Sequence, residues 1–381
     1  MQAPSRLLNP VSLVALATAV AACNGTTLPE RAPSPGSDGG ALTCNAPSTE
    51  TTLFENTSGE VVGGLFVFGG RVFFSWSSGL SSVPLGGGPV TPIATGATGV
   101  AIVGGTLYTT AEHPVGAPSS DGKQSSAPAL YATPFGGASA DAGAPDGGAA
   151  ALVQDNFGAG PTVTDDASLY FASGASGTVL KITPPSTTPV TLTFAGTLSI
   201  RSLAVDATYL YAAVGDLTTS PGNGAIVRMP KSDAGGPTDR LLTLPGFPDD
   251  LLVDGQALYW IDEPAVGTFG NSRVVRADLD GQNETALVDG SNSVDSPGEI
   301  ALGPSDLYFT TGSLGRLPKA GGPIETFVSD LSGAGLLHVS GADVVWVDNY
   351  NRALSSTSST PIEALCAGGS APADAGQGPA R

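Results

Sequence analysis

Seven short segments of the chain share one pattern of apolar and polar positions. Each contains two runs of alternating apolar residues joined by a four-residue turn, which is the pattern of an antiparallel strand pair. The centres of the second runs lie between 35 and 62 residues apart. A repeat of this length indicates an array of similar structural units. The centres are Phe73, Tyr108, Tyr170, Tyr211, Tyr259, Tyr308 and Val345.

A second strand pair follows each of these segments, as at residues 179–193 and 274–288. Each unit therefore offers four strands, an inner A strand followed by B, C and D. Four strands in about 45 residues, repeated, is typical of a β-propeller. We predict an all-β, seven-bladed β-propeller with four antiparallel strands per blade over residues 50–366; a six-bladed ring with one degenerate pair is the alternative. Radial stacking of the blades would bury the aromatic B-strand centres.

Both ends of the predicted domain suggest how the ring closes. Residues 51–55 resemble a D strand placed before the first A strand, and residues 360–365 resemble another D strand. An N-terminal strand that pairs with the last blade would lock the ring. Cys44 and Cys366 flank the domain, and in an oxidising compartment they suggest a disulfide that joins its termini. Two independent free thiols are the alternative.

The composition agrees with a turn-rich fold. The 381 residues include 53 Gly and 31 Pro, which disfavours a helix bundle or a coiled coil because both residues are unfavourable inside helices. Part of the excess lies outside the repeats, where we expect little order. These regions are a tether at 23–49, low-complexity inserts at 114–128 and 138–149, and a tail at 367–381.

The N-terminus has the organisation of an export signal. Residues 1–22 contain one Arg and then a largely apolar stretch. Residues 20–23, Val-Ala-Ala-Cys, resemble the lipobox of bacterial lipoproteins, which implies cleavage before Cys23 and lipidation of its thiol. Asn24 stands where similar lipoproteins retained at the inner membrane have Asp, so the resemblance implies an outer-membrane, lipid-anchored envelope protein. An ordinary signal peptide or a retained membrane anchor are the alternatives.

Two of the repeats resemble the YWTD propeller repeats of lipoprotein-receptor-type proteins. The matching residues are 273–289, which contain a Leu-Asp-Gly turn after a basic strand, and the nearby Leu-Tyr-Trp-Ile-Asp at 258–262; residues 345–348 match in part. That family has six blades. The resemblance implies a binding or scaffolding propeller outside the cytoplasm.

The net charge of −19 narrows the range of partners. Without a basic patch, nucleic-acid binding has no electrostatic basis. An acidic surface favours cationic or basic partners. We expect a monomer that binds a protein or a glycan of the cell envelope and contacts the membrane through its lipid anchor only.

Candidate ligand residues concentrate on one predicted rim of the ring, because the D–A and B–C loops of a propeller emerge on the same face. Carboxylates and aromatic side chains that converge there suit a cation, a basic peptide or a sugar; a merely polar loop surface is the alternative. The rim residues are Glu112, Asp155, Asp249, Asp250, Asp262, Glu263, Asp295, Glu299, Asp348, Asn349, Trp76, Phe157, Phe247, Phe269 and Tyr350.

From this rim we select a smaller set of ligand-binding residues and add one histidine. His338 occupies a strand-A column that is otherwise apolar, where it is either a core or channel histidine or a ligand or proton carrier that faces the channel. The selected residues are Asp262, Glu263, Asp348, Asn349, Tyr350, Trp76 and His338.

The sequence offers little for catalysis. It contains no serine-nucleophile elbow, metalloprotease helix motif or phosphate-binding loop. Calcium is the one cofactor suggested, by the acidic residues of 278–284, although Asp-Gly there is also the expected pair of a hairpin turn. We predict a non-catalytic binding or scaffolding module. The alternative is a propeller enzyme, a lyase, lactonase or glycan hydrolase that uses loop carboxylates and a divalent ion.

Overall fold

A computed structural model of the chain describes fifteen parts of it, which together form 28 strands. Within them no helix could cross a membrane. Cys23, Cys44, Cys366, Asn349 and Tyr350 lie outside the described residues, so the predictions that rest on them stay predictions. The described residues are 51–55, 62–76, 78–115, 125–135, 150–155, 160–173, 177–194, 199–215, 224–232, 235–264, 272–289, 297–329, 331, 334–348 and 353–358.

The strands form seven antiparallel sheets of four strands each, and six of them consist of consecutive strands. This confirms the seven-bladed propeller, and the six-bladed alternative is wrong. The first three blades contain β2 (Gly64–Phe68), β3 (Arg71–Trp76), β4 (Gly79–Pro84) and β5 (Thr91–Thr95); β6 (Ala97–Val103), β7 (Thr106–Val115), β8 (Ser125–Pro134) and β9 (Ala151–Gln154); and β10 (Thr162–Thr164), β11 (Leu169–Ala172), β12 (Thr178–Ile182) and β13 (Val190–Thr193).

Blade 2 departs from the expectation of little order at residues 114–128. Strands β7 and β8 extend into both ends of this predicted insert, where Val115 pairs with Ser125. The hairpin is therefore longer than the apolar alternation alone indicates. The next three blades contain β14 (Ser199–Val205), β15 (Tyr209–Gly215), β16 (Gly224–Pro230) and β17 (Asp239–Leu244); β18 (Phe247–Val253), β19 (Ala257–Glu263), β20 (Arg273–Asp278) and β21 (Thr285–Asp289); and β22 (Ile300–Leu302), β23 (Asp306–Thr310), β24 (Leu314–Pro318) and β25 (Glu325–Val328).

Blade 7 joins the two ends of the domain. It contains β26 (Ala334–Ser340), β27 (Asp343–Asp348) and β28 (Ala353–Ser358), and its outermost strand is β1 (Thr51–Glu55). Thr51 pairs with Ser356 in antiparallel register. The predicted closure by an N-terminal strand is confirmed. The strand predicted at 360–365 lies outside the described residues, and β1 takes the D position of this sheet.

The aromatic B-strand centres form the core between blades, as predicted. Each of the seven centres is at most 2% exposed. Trp260 of blade 5 packs in one apolar cluster with Tyr211 of blade 4, and Trp346 of blade 7 packs with Tyr308 of blade 6. Burial of such large rings dominates the energetics of a core.

Some glycines permit contacts that a side chain would block. Gly246 lies in the corner between β17 and β18, where an added Cβ would be 1.9 Å from the carbonyl oxygen of Glu263. Backbone can approach this closely only at Gly. The corner brings β18 against the end of β19, and β18 carries the carboxylates of the candidate site.

Candidate functional site at the channel mouth

The innermost strands of the ring surround a central cavity of about 760 Å³, which is the channel of the propeller. Strands β2, β10, β14, β18, β22 and β26 contribute to its wall, in which most lining residues are apolar although polar atoms provide more than half of the exposed surface. The titratable side chains in that wall are Asp250, Glu299 and His338. A concave, mostly apolar site with a few polar groups is typical of ligand binding.

Asp250 and Glu299 occupy the same structural position in successive blades. The Asp250 carboxylate accepts a hydrogen bond from the Ile300 N–H of the next blade, and the Glu299 carboxylate accepts one from the Leu337 N–H of the blade after that. In blade 4, Ser202 Oγ accepts the N–H of Leu251 at 2.8 Å. A neutral hydroxyl therefore makes the inter-blade contact in one blade, and carboxylates make it in the next two.

The backbone of Asp250 is unusual. Its φ of 47° lies in the left-handed region, and the pairing of β18 with β19 is irregular between Asp249 and Leu252. A bulge of this kind re-aims side chains and is common near functional sites. Asp is one of the few residues that tolerate this conformation. The bulge fixes the Asp250 carboxylate in the channel wall.

The electrostatics of the two carboxylates differ from those of surface acids. Burial, the nearby Glu299 charge and the Asp249 charge raise the pKa of Asp250 to about 7, although the Ile300 N–H opposes this. Burial and the Asp249 charge raise the pKa of Glu299 above its ordinary range. Burial of His338 lowers its pKa, which favours the neutral imidazole. Ionisation of the Asp250 and Glu299 carboxyl groups in the cavity wall is therefore less favourable than ionisation of surface acids.

The nearby Arg201 guanidinium pairs with two other carboxylates. Arg201 Nη2 lies 2.6 Å from Asp249 Oδ2 and 3.7 Å from Glu263 Oε2. Within the part of the chain that the structure describes, neither Asp250 nor Glu299 has a Lys or Arg partner. Arg201 therefore compensates Asp249 and Glu263, whereas no described Lys or Arg compensates Asp250 and Glu299.

Of the residues selected from the sequence, Asp262 and Asp348 lie at strand ends. They are only 6% and 4% exposed. Asp262 Oδ2 accepts a hydrogen bond from Arg273, and its Oδ1 is buried with no hydrogen-bond partner among the described residues. Glu263 is more open, with a side chain 40% exposed and a pKa that burial raises and the Arg201 charge partly lowers. Ligand binding by these residues stays a prediction.

The other selected residues are also separated by the structure. His338 lines the cavity. Trp76 is half-buried and packs edge-on against Phe54 and Phe74, at ring-centroid distances of 4.7 and 5.4 Å. Trp76 therefore belongs to the aromatic contact between the first and last blades.

The other rim residues that the structure describes do not converge either. Glu112 and Asp155 are exposed, and Phe247 is buried in the core. Asp295, Phe157 and Phe269 lie outside the described residues. The sequence places Asp250 and Glu299 among the rim residues but does not single them out. A signal was available, because Asp250, Glu299 and Ser202 each lie two positions before the aligned strand-A residue of their repeat.

The suggested calcium segment forms a hairpin turn between β20 and β21. Gly281 has a φ of 81°, and its N–H donates to the Asp278 carbonyl oxygen. The carboxylates of Asp278 and Asp280 accept hydrogen bonds from Asn283 Nδ2 and from the Gln282 N–H. No three His, Cys, Asp or Glu side chains among the described residues are grouped to hold a metal ion. Calcium binding stays a prediction.

No protein-family model and no curated protein matches this sequence. Many solved structures share the fold, and three of them illustrate the similarity. Hydrazine synthase of Kuenenia stuttgartiensis is 11% identical over 76% of this chain and 93% of that chain, with a TM-score of 0.55. The β-propeller domain of the Trilobed protease from Pyrococcus furiosus, described as having an open velcro topology, is 11% identical over 81% and 92%, with a TM-score of 0.53.

The third structure is the extracellular domain of a hybrid two-component system from B. thetaiotaomicron. It is 12% identical over 81% of this chain and 40% of that chain, with a TM-score of 0.51. At these identities the similarity shows the propeller fold alone. The activities of these proteins carry no conclusion about this one, because one fold hosts many functions.

Proposed function

We propose that the propeller is a non-catalytic binding module whose channel mouth receives a positively charged side chain of a protein partner. The observation that carries this proposal is the pair of half-buried carboxylates, Asp250 and Glu299, which face one cavity without a Lys or Arg partner among the described residues. An ammonium or guanidinium group between them would relieve their mutual repulsion and favour their ionised forms. A neutral glycan would not.

The dimensions of the cavity suit such a group. About 760 Å³ accommodates a long side chain and part of its backbone, but it does not admit a folded domain. The net charge of −19 adds a long-range attraction for basic partners, which raises association rates at low salt. We therefore favour a basic segment of a protein over a sugar as the ligand.

A synthetic octalysine peptide tests the proposal, with an octaglutamine peptide as the uncharged reference. Wild type is expected to bind octalysine. The double variant Asp250→Asn/Glu299→Gln is expected to bind it at least about tenfold more weakly, because it loses both channel charges. The matched control is Glu112→Gln, which removes an exposed charge outside the cavity and should change affinity less than about twofold. Titration calorimetry measures all three.

Proton release gives a second, independent measurement. A bound cation lowers the pKa of Asp250 from about 7, so binding at neutral pH should release protons from wild type and not from the double variant. Calorimetry in buffers of different ionisation enthalpy detects this. Equal octalysine affinity of wild type and double variant would show that attraction to the acidic surface is non-specific and would refute the proposal.

A catalytic role is the second candidate, and one observation favours it. A carboxyl group with a pKa near 7 can give or take a proton at neutral pH, and Asp250 shares its cavity with the Glu299 carboxyl group and the His338 imidazole. A lyase, lactonase or glycan hydrolase could use such groups. Turnover of a lactone or glycan that is abolished in Asp250→Asn would support this candidate.

We also propose that the chain is exported and anchored to the cell envelope, at the outer membrane, through a lipid on Cys23. The support is the sequence of residues 1–24. Expression in a Gram-negative host with radiolabelled palmitate should label the wild type, and Cys23→Ser should lose the label. Cys44→Ser is the matched control and should keep it. Label that persists in Cys23→Ser would exclude the anchor.

A further inference from the structure

A second kind of polar contact repeats on the opposite end of the blades. In four successive blades a B-strand Tyr lies directly across from a basic C-strand residue. In the first three of these blades the Asp of the A–B turn also accepts a hydrogen bond from the Tyr hydroxyl. The sets are Asp165, Tyr170 and Lys181; Asp206, Tyr211 and Arg228; and Asp254, Tyr259 and Arg276.

In the first two sets the basic residue is used to join blades. Lys181 Nζ donates to the carbonyl oxygen of Lys231 at 3.1 Å, and Arg228 Nη1 donates to that of Leu279 at 3.0 Å. Both acceptors lie in the C–D turn of the next blade. The Arg228 guanidinium also lies over the Tyr209 ring, 4.5 Å from its centroid. These cations are occupied by the protein itself.

Arg276 makes neither contact. Ala257 stands where the ring of Tyr209 stands in the preceding blade. Within the described part of the chain, Arg276 approaches the Tyr259 hydroxyl and lies 3.6 Å from an Asp278 carboxylate oxygen. Among the described residues its Nε has no hydrogen-bond partner, which is also true of the Arg228 Nε, but Arg276, unlike Arg228, donates to no carbonyl oxygen of the next blade. The terminal nitrogens of Arg276 therefore retain hydrogen-bonding capacity.

A pocket opens at this place. It has a volume of about 560 Å³ and lies between blades 5 and 6, lined by Arg276, Tyr259, Asp254, Gln256 and Lys319 among others. Asp254 lies in the A–B turn that follows β18, whereas Asp250 lies in the middle of that strand, and among the described residues the pocket and the central cavity share no lining residue. It is a separate site from the channel mouth.

The charges of the pocket define what it can hold. Lys319 Nζ lies 3.2 Å from Asp254 Oδ2. Burial would raise the pKa of Asp254, but hydrogen bonds from the Gln256 and Ala257 N–H groups and from Lys319 lower it overall. Asp254 is therefore ionised and offsets Lys319, whereas Asp278, whose side chain is 40% exposed, lies 3.6 Å from Arg276 and offsets the Arg276 charge only in part. A guanidinium is well suited to bind a carboxylate through two parallel hydrogen bonds.

We propose that this inter-blade pocket binds a small hydroxy or amino carboxylate. Arg276 takes the carboxylate group, and Asp254 and Gln256 accept hydrogen bonds from the hydroxyl or ammonium group of the ligand. A singly charged carboxylate fits better than a phosphate, because a second negative charge would be repelled by Asp254 and by the acidic protein. The inference goes beyond the proposed function and does not depend on it.

D-Glucuronate is the probe, with D-glucose as its neutral counterpart and inorganic phosphate as the competing anion. Saturation-transfer NMR on the whole protein should show saturable glucuronate binding and none for glucose. Arg276→Gln should weaken glucuronate binding about tenfold or more, because a charge-assisted hydrogen bond is lost. Arg228→Gln is the matched control, since Arg228 is already engaged, and it should bind like wild type.

The remaining outcomes also decide the matter. If Arg276→Gln does not fold, Lys319→Gln serves as a second pocket variant, and it should also weaken glucuronate binding. The double variant Asp250→Asn/Glu299→Gln should retain glucuronate binding, which separates this site from the channel mouth. Unchanged binding by Arg276→Gln, an equal loss in Arg228→Gln, or preference for phosphate would overturn the proposal.

Discussion

Replacing Leu53 by Asp is expected to lower the free energy of unfolding by about 4 kcal/mol, because it places an unpaired charge in an apolar interface. Leu53 lies on β1, is 5% exposed and packs with Val72 and Phe74 of blade 1 and Val345 of blade 7. The substitution therefore weakens the contact between the last and first blades as well as the sheet of β1.

Thr52→Asp is the matched control. Thr52 is exposed on the same strand, so its replacement should change stability by less than about 0.5 kcal/mol. Urea unfolding followed by fluorescence gives both values. A Leu53→Asp protein as stable as Thr52→Asp would mean that β1 contributes nothing to the closure of the ring.

Asp250→Asn is expected to stabilise the protein by about 2 to 4 kcal/mol near pH 8 and to change little near pH 4. The folded-state pKa of Asp250, about 7, exceeds its ordinary value, so the stability associated with its protonated form is present in acid and is lost as the pH rises through 7. Asn avoids that loss. Its side-chain oxygen can still accept the Ile300 N–H, and Asn tolerates a φ of 47°.

Asp254→Asn should behave in the opposite way. The pKa of Asp254 is lowered, so its carboxylate stabilises the fold at neutral pH, and this contribution is lost as the pH falls. Urea unfolding of wild type and both variants at about pH 5 and pH 8 compares the signs. If Asp250→Asn destabilises the protein near pH 8, the Asp250 charge is compensated in the folded state and the argument for a cationic ligand is lost.

The architecture of the propeller could be predicted from the sequence because it depends on local patterns. The strand alternation and the turns recur with each blade, six of the seven B-strand centres are aromatic, and all seven, from Phe73 to Val345, are buried. The closure by β1 was predictable as well, since a strand without a partner precedes the first repeat.

The candidate site was less predictable because it depends on contacts between blades. The bulge at Asp250 moves its carboxylate into the channel wall, and its partner Ile300 is about 50 residues away. Asp is a residue type common in loops, but strands β19 and β27 extend far enough to include Asp262 and Asp348 and to bury them. Neither the length of a strand nor the position of a bulge follows from alternation alone.

The pairing of Thr51 with Ser356 also constrains how the protein is made. One strand of this sheet is among the first domain residues to be synthesised, and its partner is among the last. β1 therefore stays without its partner until β28 has been synthesised, and contacts between residues so distant in sequence then form slowly. A chain that stops before β28 cannot close the ring, and its exposed β1 edge would mark it for aggregation or proteolysis. Closure of the ring thus distinguishes complete chains from truncated ones.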